Sequence, residues 1–238
     1  QMCIRDRRWS RFKDKASEEM YRIVDQFVFP FIKDMGGDSA FSKAMEGATF
    51  GFPAGKTSLL EKAVDGVEEL LVGFEDNIGD LGDLYEYMLS KLSTAGTNGQ
   101  FRTPKHIRDM MVAMIDPKPG EFICDPACGT AGFLISSAEH IRGNYEASMS
   151  ETDWNCFTGT NGAPPQFTGF EMDQTMLRIS TMNLMLHGAE APDVRYLDSI
   201  SKNNTVRGQY DVILANPPFT GSVDVEDIDK SLRAIVDS

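Results

Sequence analysis

Asn216, Pro217, Pro218 and Phe219 stand directly after the apolar run Val212, Ile213, Leu214 and Ala215. A buried strand that meets two prolines loses its ladder donors and has its φ angles fixed, so the chain must turn out of the sheet there. The turn presents an amide, two carbonyl oxygens and an aromatic ring together. That set suits a planar group bearing an exocyclic NH2. The Asn216 side-chain oxygen and the Pro217 carbonyl can accept both N–H bonds and stabilise positive charge that develops as the nitrogen attacks. Phe219 can stack on the ring, with Pro218 holding the backbone outward. Such chemistry needs alignment and electrostatics, and no histidine or cysteine nucleophile. Upstream, Asp125, Pro126, Ala127, Cys128, Gly129, Thr130, Ala131 and Gly132 form a second loop after an apolar strand. Its glycines let a ligand approach the backbone closely, and its spacing is not the G-x-G-x-x-G of a dinucleotide site.

Two more segments accompany these loops: Gly99, Gln100, Phe101, Arg102, Thr103, Pro104, and Gly169, Phe170, Glu171, Met172, Asp173. With the segments at 99–104, 125–133, 169–173 and 216–219 following one another along the chain, residues 81–219 resemble the amino-group DNA methyltransferases that use S-adenosyl-L-methionine (SAM). Among these, the resemblance is to the modification (M) subunit of type I restriction–modification systems. It implies a site-specific, adenine N6 DNA methyltransferase acting on a flipped base, with Asn216, Pro217, Pro218 and Phe219 at the reacting amine. It also implies a lip over the methionine end of SAM from Gln100, Phe101, Thr103, Pro104 and Lys105. Around the cofactor stand Asp125, Pro126, Gly129, Thr130, Ala131 and Gly132, with Glu171 at the ribose hydroxyls and Asp198 at the adenine amino group; no metal is expected. Cytosine N4, also an exocyclic amine, stays open as the acceptor. An RNA or protein-glutamine N-methyltransferase shares the tetrapeptide, and a non-catalytic assembly subunit or inactive fragment is the alternative of another class. The implied partners are duplex DNA reached through a specificity (S) subunit, a restriction (R) subunit and a second M subunit, in the cytoplasm and without membrane contact.

The net charge of −13 over 238 residues fits a borrowed grip on DNA, since duplex affinity comes largely from Lys and Arg neutralising phosphates. Cys3, Cys124, Cys128 and Cys156 match no zinc or disulfide spacing and read as small buried residues of a reducing compartment. No apolar run approaches a bilayer span. The stretch from Gly51 to Thr57 imitates a phosphate-binding loop but is one residue short and follows no strand.

The elements that position these groups are legible in outline. Residues 1–7 resemble a translated sequencing adapter and are set aside as an artefact. Residues 8–95 read as a helical N-terminal domain, with Leu81, Leu84, Tyr85, Met88, Leu89 and Leu92 at the spacing of one helical face. Residues 96–238 read as a C-terminally truncated SAM-dependent methyltransferase domain. A Gly/Thr/Asn loop over 94–102 leads to Thr103 as N-cap and Pro104 at the first helical position, with Ile107, Met110, Met111, Met114 and Ile115 as the buried face. Strands are expected at 122–125, 167–171, 194–197 and 210–215, and helices at 131–141 and 174–187, the latter closed by Gly188. Residues 143–166 read as a surface loop. The alternation gives an α/β, Rossmann-like parallel sheet of about four strands preceded by helices. The resemblance orders those strands 3-2-1-4, the start of a longer family sheet. A sheet ended there leaves the fourth strand with an open edge and predicts poor stability and little activity alone.

Overall fold

The computed structural model describes residues 8–34, 37, 39–52, 55–72, 81–94, 102–219 and 225–233. The adapter-like heptapeptide and most of the loop expected over 94–102 lie outside them. Two compact units divide the chain, Gln1–Leu81 and Gly82–Ser238.

The first unit is helical: α1 (Trp9–Phe12), α2 (Ser17–Ile23), α3 (Phe29–Asp34), α4 (Ala40–Met45) and α5 (Ser58–Val72). Between α2 and α3 the helix passes through a π turn at Val24–Val28. Pro30 lies just beyond it; proline lacks the N–H and its ring strikes the carbonyl four residues back, and a wider turn relieves both. Phe12, Met20, Ile23, Val24, Val28, Leu60 and Val64 form this unit's core. Glu68 of α5 accepts from the Trp9 indole and the Lys13 ammonium, fastening α1 to α5.

The second unit takes in α6 (Leu81–Thr94) from Gly82 onward, a helix that sequence alone grouped with those before it. Glu86 explains the difference, because its carboxylate accepts from Arg102, Arg108 and Asn183, all in this unit. Then follow α7 (Lys105–Ile115), β1 (Ile123–Asp125), α8 (Gly132–Tyr145), α9 (Glu151–Thr158), β2 (Phe167–Glu171), α10 (Gln174–Leu186), β3 (Asp193–Tyr196), β4 (Val212–Ile213) and α11 (Lys230–Arg233). The four strands form one sheet in the order β3-β2-β1-β4, every pair parallel. This is the expected Rossmann-like arrangement. β1 is buried along its whole length and β2 on all but its last residue, as a strand between parallel neighbours must be. Ile123, Leu134, Ile135, Ile141, Phe157, Phe167 and Leu184 make the core, with α8 against β1 and β2 and α10 against β2 and β3.

Two expectations fail here for local reasons. Residues 143–166 are not a surface loop, for they contain α9, whose N-terminus is a reciprocal cap between Ser150 and Asp153. Phe157 from α9 meets Phe167 edge-on at 5.2 Å between ring centroids and is fully buried. On α7, Met110, Met114 and Ile115 point outward, and the buried positions are Arg108 and Val112, one turn apart. The arginine turns inward because a carboxylate waits there, and the periodicity of apolar residues cannot register that.

Candidate functional site

β1 and β4 run side by side with Ile123 opposite Val212 and Cys124 opposite Ile213. Asp125 and Asn216 therefore leave the sheet at the same, carboxyl-terminal end, and both line one cavity. Thr103, Arg108, Gly129 and Thr130 complete much of its wall.

The loop after β1 is held from several sides. The Cys128 N–H donates to the Phe170 carbonyl at 3.0 Å, folding the loop back over β2. That return needs Gly169, where a Cβ would lie 2.5 Å from the Cys128 sulfur. Gly129 and Ala131 both take left-handed φ, 54° and 66°. For alanine this is a costly conformation, and here it swings the chain into α8 at Gly132. Gly132 itself has no room for a side chain, since a Cβ would meet the Arg108 guanidinium at 1.9 Å. The N–H of Gly129 donates to Glu171 Oε2 at 2.9 Å, and the N–H of Asp173 to Oε1 at 2.7 Å. Glu171 thus braces the loop, and each of its oxygens keeps a second lone pair for hydroxyl donors.

Asp125 is 2% exposed and accepts from the Ala127 N–H at 3.0 Å. Burial pushes its carboxyl up to about 7; the Ala127 bond opposes this and the charge of Glu171 adds to it. A cation brought to this wall would reverse the effect of burial. Burial also raises the Cys124 thiol to about 12 and the Cys128 thiol well above its ordinary range, so neither is a nucleophile at neutral pH.

Behind the loop lies a cluster that sequence reading missed. Glu86 accepts from Arg102 at 2.6 Å, Asn183 at 2.6 Å and Arg108 at 3.3 Å, and Asn183 also donates to the Thr130 carbonyl at 2.8 Å. Burial raises the Glu86 carboxyl, but Asn183 and the two arginines outweigh it and hold the group below its usual range. One carboxylate thereby ties α6, α7, α10 and the loop together. The only hint in the sequence was Arg102, inside the recognised segment.

The remaining expected residues divide. Gln100 and Phe101 lie outside the described residues. Thr103 is not the N-cap of α7: Pro104 takes that place with φ −56° and ψ 142°, and the helix starts at Lys105. The Thr103 hydroxyl instead accepts from the Asn216 side-chain nitrogen at 2.9 Å. Lys105 is turned away from the cavity, paired to Glu139 at 2.5 Å and Asp109 at 3.3 Å. Asp198 caps its own turn at the Ile200 N–H, 3.1 Å away, and the next residue, Ser199, donates to the Pro126 carbonyl, which brings the loop after β3 to the loop after β1. Pro217 and Pro218 are exposed, and Phe219 is 73% exposed rather than a core aromatic. Among the described residues, Asp83, Glu139 and His187 bring possible metal-ligating atoms within 4.8 Å of one another; none of the three lines the cavity.

The residues present fit SAM: a buried carboxyl for its ammonium, left-handed backbone and a helix start for its carboxylate, and a strand-end acid for its ribose. No helix among the described residues is long and apolar enough to cross a membrane.

Comparison with known proteins points the same way. The model of the N-6 DNA methylase family matches residues 76–234. The EcoEI methylase subunit of a type I restriction enzyme from Escherichia coli is 34% identical over 92% of this chain, and the chain spans 43% of that relative's length. A protein from Vibrio vulnificus YJ016 assigned as a type I modification subunit superposes with a TM-score of 0.60 at 28% identity, over 83% of this chain and 41% of its own. A solved chain of the type I restriction–modification system superposes with a TM-score of 0.66 at 25% identity, over 92% of this chain and 45% of its own. Through its two loops, its strand order and the family match over most of its length, the chain belongs to the N-6 DNA methylase family.

Proposed function

We propose that this chain carries the methyl-transfer centre of a type I modification subunit, a SAM-dependent, adenine-specific N6 DNA methyltransferase. The observation that carries this reading is that Asp125 and Asn216 line one cavity at the carboxyl ends of adjacent parallel strands. SAM supplies an electrophilic methyl group on its sulfonium. The chain's residues do the rest by binding and alignment. Asp125, once ionised, pairs with the cofactor's ammonium, and Glu171 accepts from the ribose. Gly129, Thr130, Ala131 and Gly132 bring backbone close to the methionine moiety, with Gln100, Phe101, Thr103 and Pro104 at the lip. Asp198 receives the adenine amino group of the cofactor. At the substrate, the Asn216 oxygen and the Pro217 carbonyl accept both N–H bonds of the target amine. This favours a pyramidal nitrogen and stabilises the charge it acquires as the N–CH3 bond forms and the S–CH3 bond breaks. The proton then leaves the nitrogen for solvent, giving N6-methyladenine and S-adenosylhomocysteine. Exposed Phe219 stacks on the flipped base.

The strongly acidic chain takes its hold on duplex DNA from a specificity subunit, in a cytoplasmic assembly with a second modification subunit and a restriction subunit. The test is transfer of labelled methyl from SAM to unmethylated duplex DNA, RNA and protein, using the natural full-length polypeptide with its specificity subunit. Label in N6-methyladenine of duplex DNA is the expected result. Label in RNA, in protein glutamine or in cytosine contradicts the assignment.

A further inference from the structure

We infer that Thr103 is a positioning residue for the target amine: its hydroxyl holds the Asn216 amide in the wall of the cavity, where it can meet the incoming NH2. The inference rests on the functional reading above and deepens it at the substrate side of the same cavity. An asparagine amide is nearly symmetric in shape and opposite in hydrogen bonding at its two ends, with two donors on Nδ2 and only acceptor lone pairs on Oδ1. Flipped, it would direct N–H groups at an amine that must itself donate both of its N–H bonds. The site therefore needs that amide held in place.

In this structure the hold comes from a residue 113 positions earlier, whose Oγ1 accepts from Asn216 Nδ2 at 2.9 Å; a hydroxyl can also donate, so what the bond fixes is the place of the amide. Asn216 and Thr103 both line the cavity. Thr103 is well made for the task. It precedes Pro104, which confines its backbone to extended conformations, and its β-branched side chain has few rotamers. Downstream, α7 is locked to the unit by Arg108, which is 4% exposed and packed against Gly132. The segment expected to serve as a cofactor lip thereby also holds the substrate acceptor in place, which couples the two halves of the site.

The test uses the full-length protein with its specificity subunit and three variants: Thr103→Val, Thr103→Ala and Thr103→Ser. Methyl transfer to duplex DNA is measured at saturating SAM and DNA, and SAM affinity separately by titration calorimetry. Loss of the bond to Asn216 predicts a fall of about tenfold in kcat for Thr103→Val at saturating SAM. Thr103→Ala behaves alike, and gives the reading should valine prevent folding. Thr103→Ser, which keeps the hydroxyl, recovers most of the rate. Full rate in Thr103→Val, weaker SAM binding with kcat intact, or a serine variant no better than valine each overturns the inference. A wild type that transfers nothing to DNA overturns the functional reading itself, and the inference with it.

Discussion

The two loops that build the cavity are held in opposite ways. The loop after β1 is braced on several sides: Cys128 to Phe170, Gly129 to Glu171, Thr130 to Asn183, and Arg108 packed under Gly132. The turn after β4 is tied through Asn216 to Thr103 and then projects Pro217, Pro218 and Phe219 outward. The contrast matches what the proposed function asks of each. A small cofactor is bound by a preformed concavity, whose geometry has to exist before the ligand arrives. A base delivered from a duplex has to be met at the surface by groups that reach out.

If that contrast is right, damage to the bracing should be felt as lost stability and lost cofactor affinity together. Glu86→Ala strands Arg108, whose side chain is 5% exposed, as a buried unpaired charge. The expected cost is about 3–5 kcal/mol, read as a lower midpoint in urea unfolding and a matching loss of SAM binding. A variant with wild-type stability would show that the cluster is not what holds the loop.

Asp125 sharpens the comparison through pH. Its carboxyl is raised to about 7 by burial in the folded chain, whereas in the unfolded chain it titrates near an ordinary aspartate. The stability this group contributes is therefore complete below the unfolded pKa and is lost as pH rises through about 7. Asp125→Asn removes that loss, so the variant should gain on wild type as pH rises from about 4 to about 7, by on the order of 3 kcal/mol or more at the upper end. SAM affinity should move oppositely. Wild type binds more tightly as pH rises through about 7 with release of a proton, and the asparagine variant shows no such rise. Calorimetry in buffers of different ionisation enthalpy measures both.

The outward turn should respond only on the DNA side. Phe219→Ala is expected to weaken productive DNA binding by about 1–3 kcal/mol, seen as a higher KM for duplex, with stability and SAM affinity preserved. Lost stability would place Phe219 in packing instead.

Much of this architecture was legible before any coordinates, and the reasons are specific. β2 was bounded correctly because Phe167 to Glu171 is an apolar run ended by charged residues, and the strand order followed from the family resemblance. Asp125 and Asn216, which line one cavity, could be singled out because each follows an apolar run, at the end of the sheet where an open α/β fold places its ligands. What escaped notice depended on partners distant in the chain. Glu86 and Asn183 are separated by 97 residues, and neither residue type announces a buried pairing. α9 was mistaken for a loop because its polar composition hid Cys156 and Phe157, the residues it buries. Thr103 read as a helix cap because threonine before proline at a helix start is what a cap looks like, and its actual partner lies across the cavity. Local chemistry was visible; tertiary pairing was not.

The decisive measurement is made on the full-length protein with its specificity subunit. Asn216→Ala removes the side-chain acceptor for the target amine and leaves the cofactor loop untouched. The account predicts labelled-methyl transfer to duplex DNA reduced by at least about a hundredfold, with SAM affinity within error of wild type. A variant that still methylates adenine at full rate, or one that loses SAM binding in proportion to activity, would contradict it.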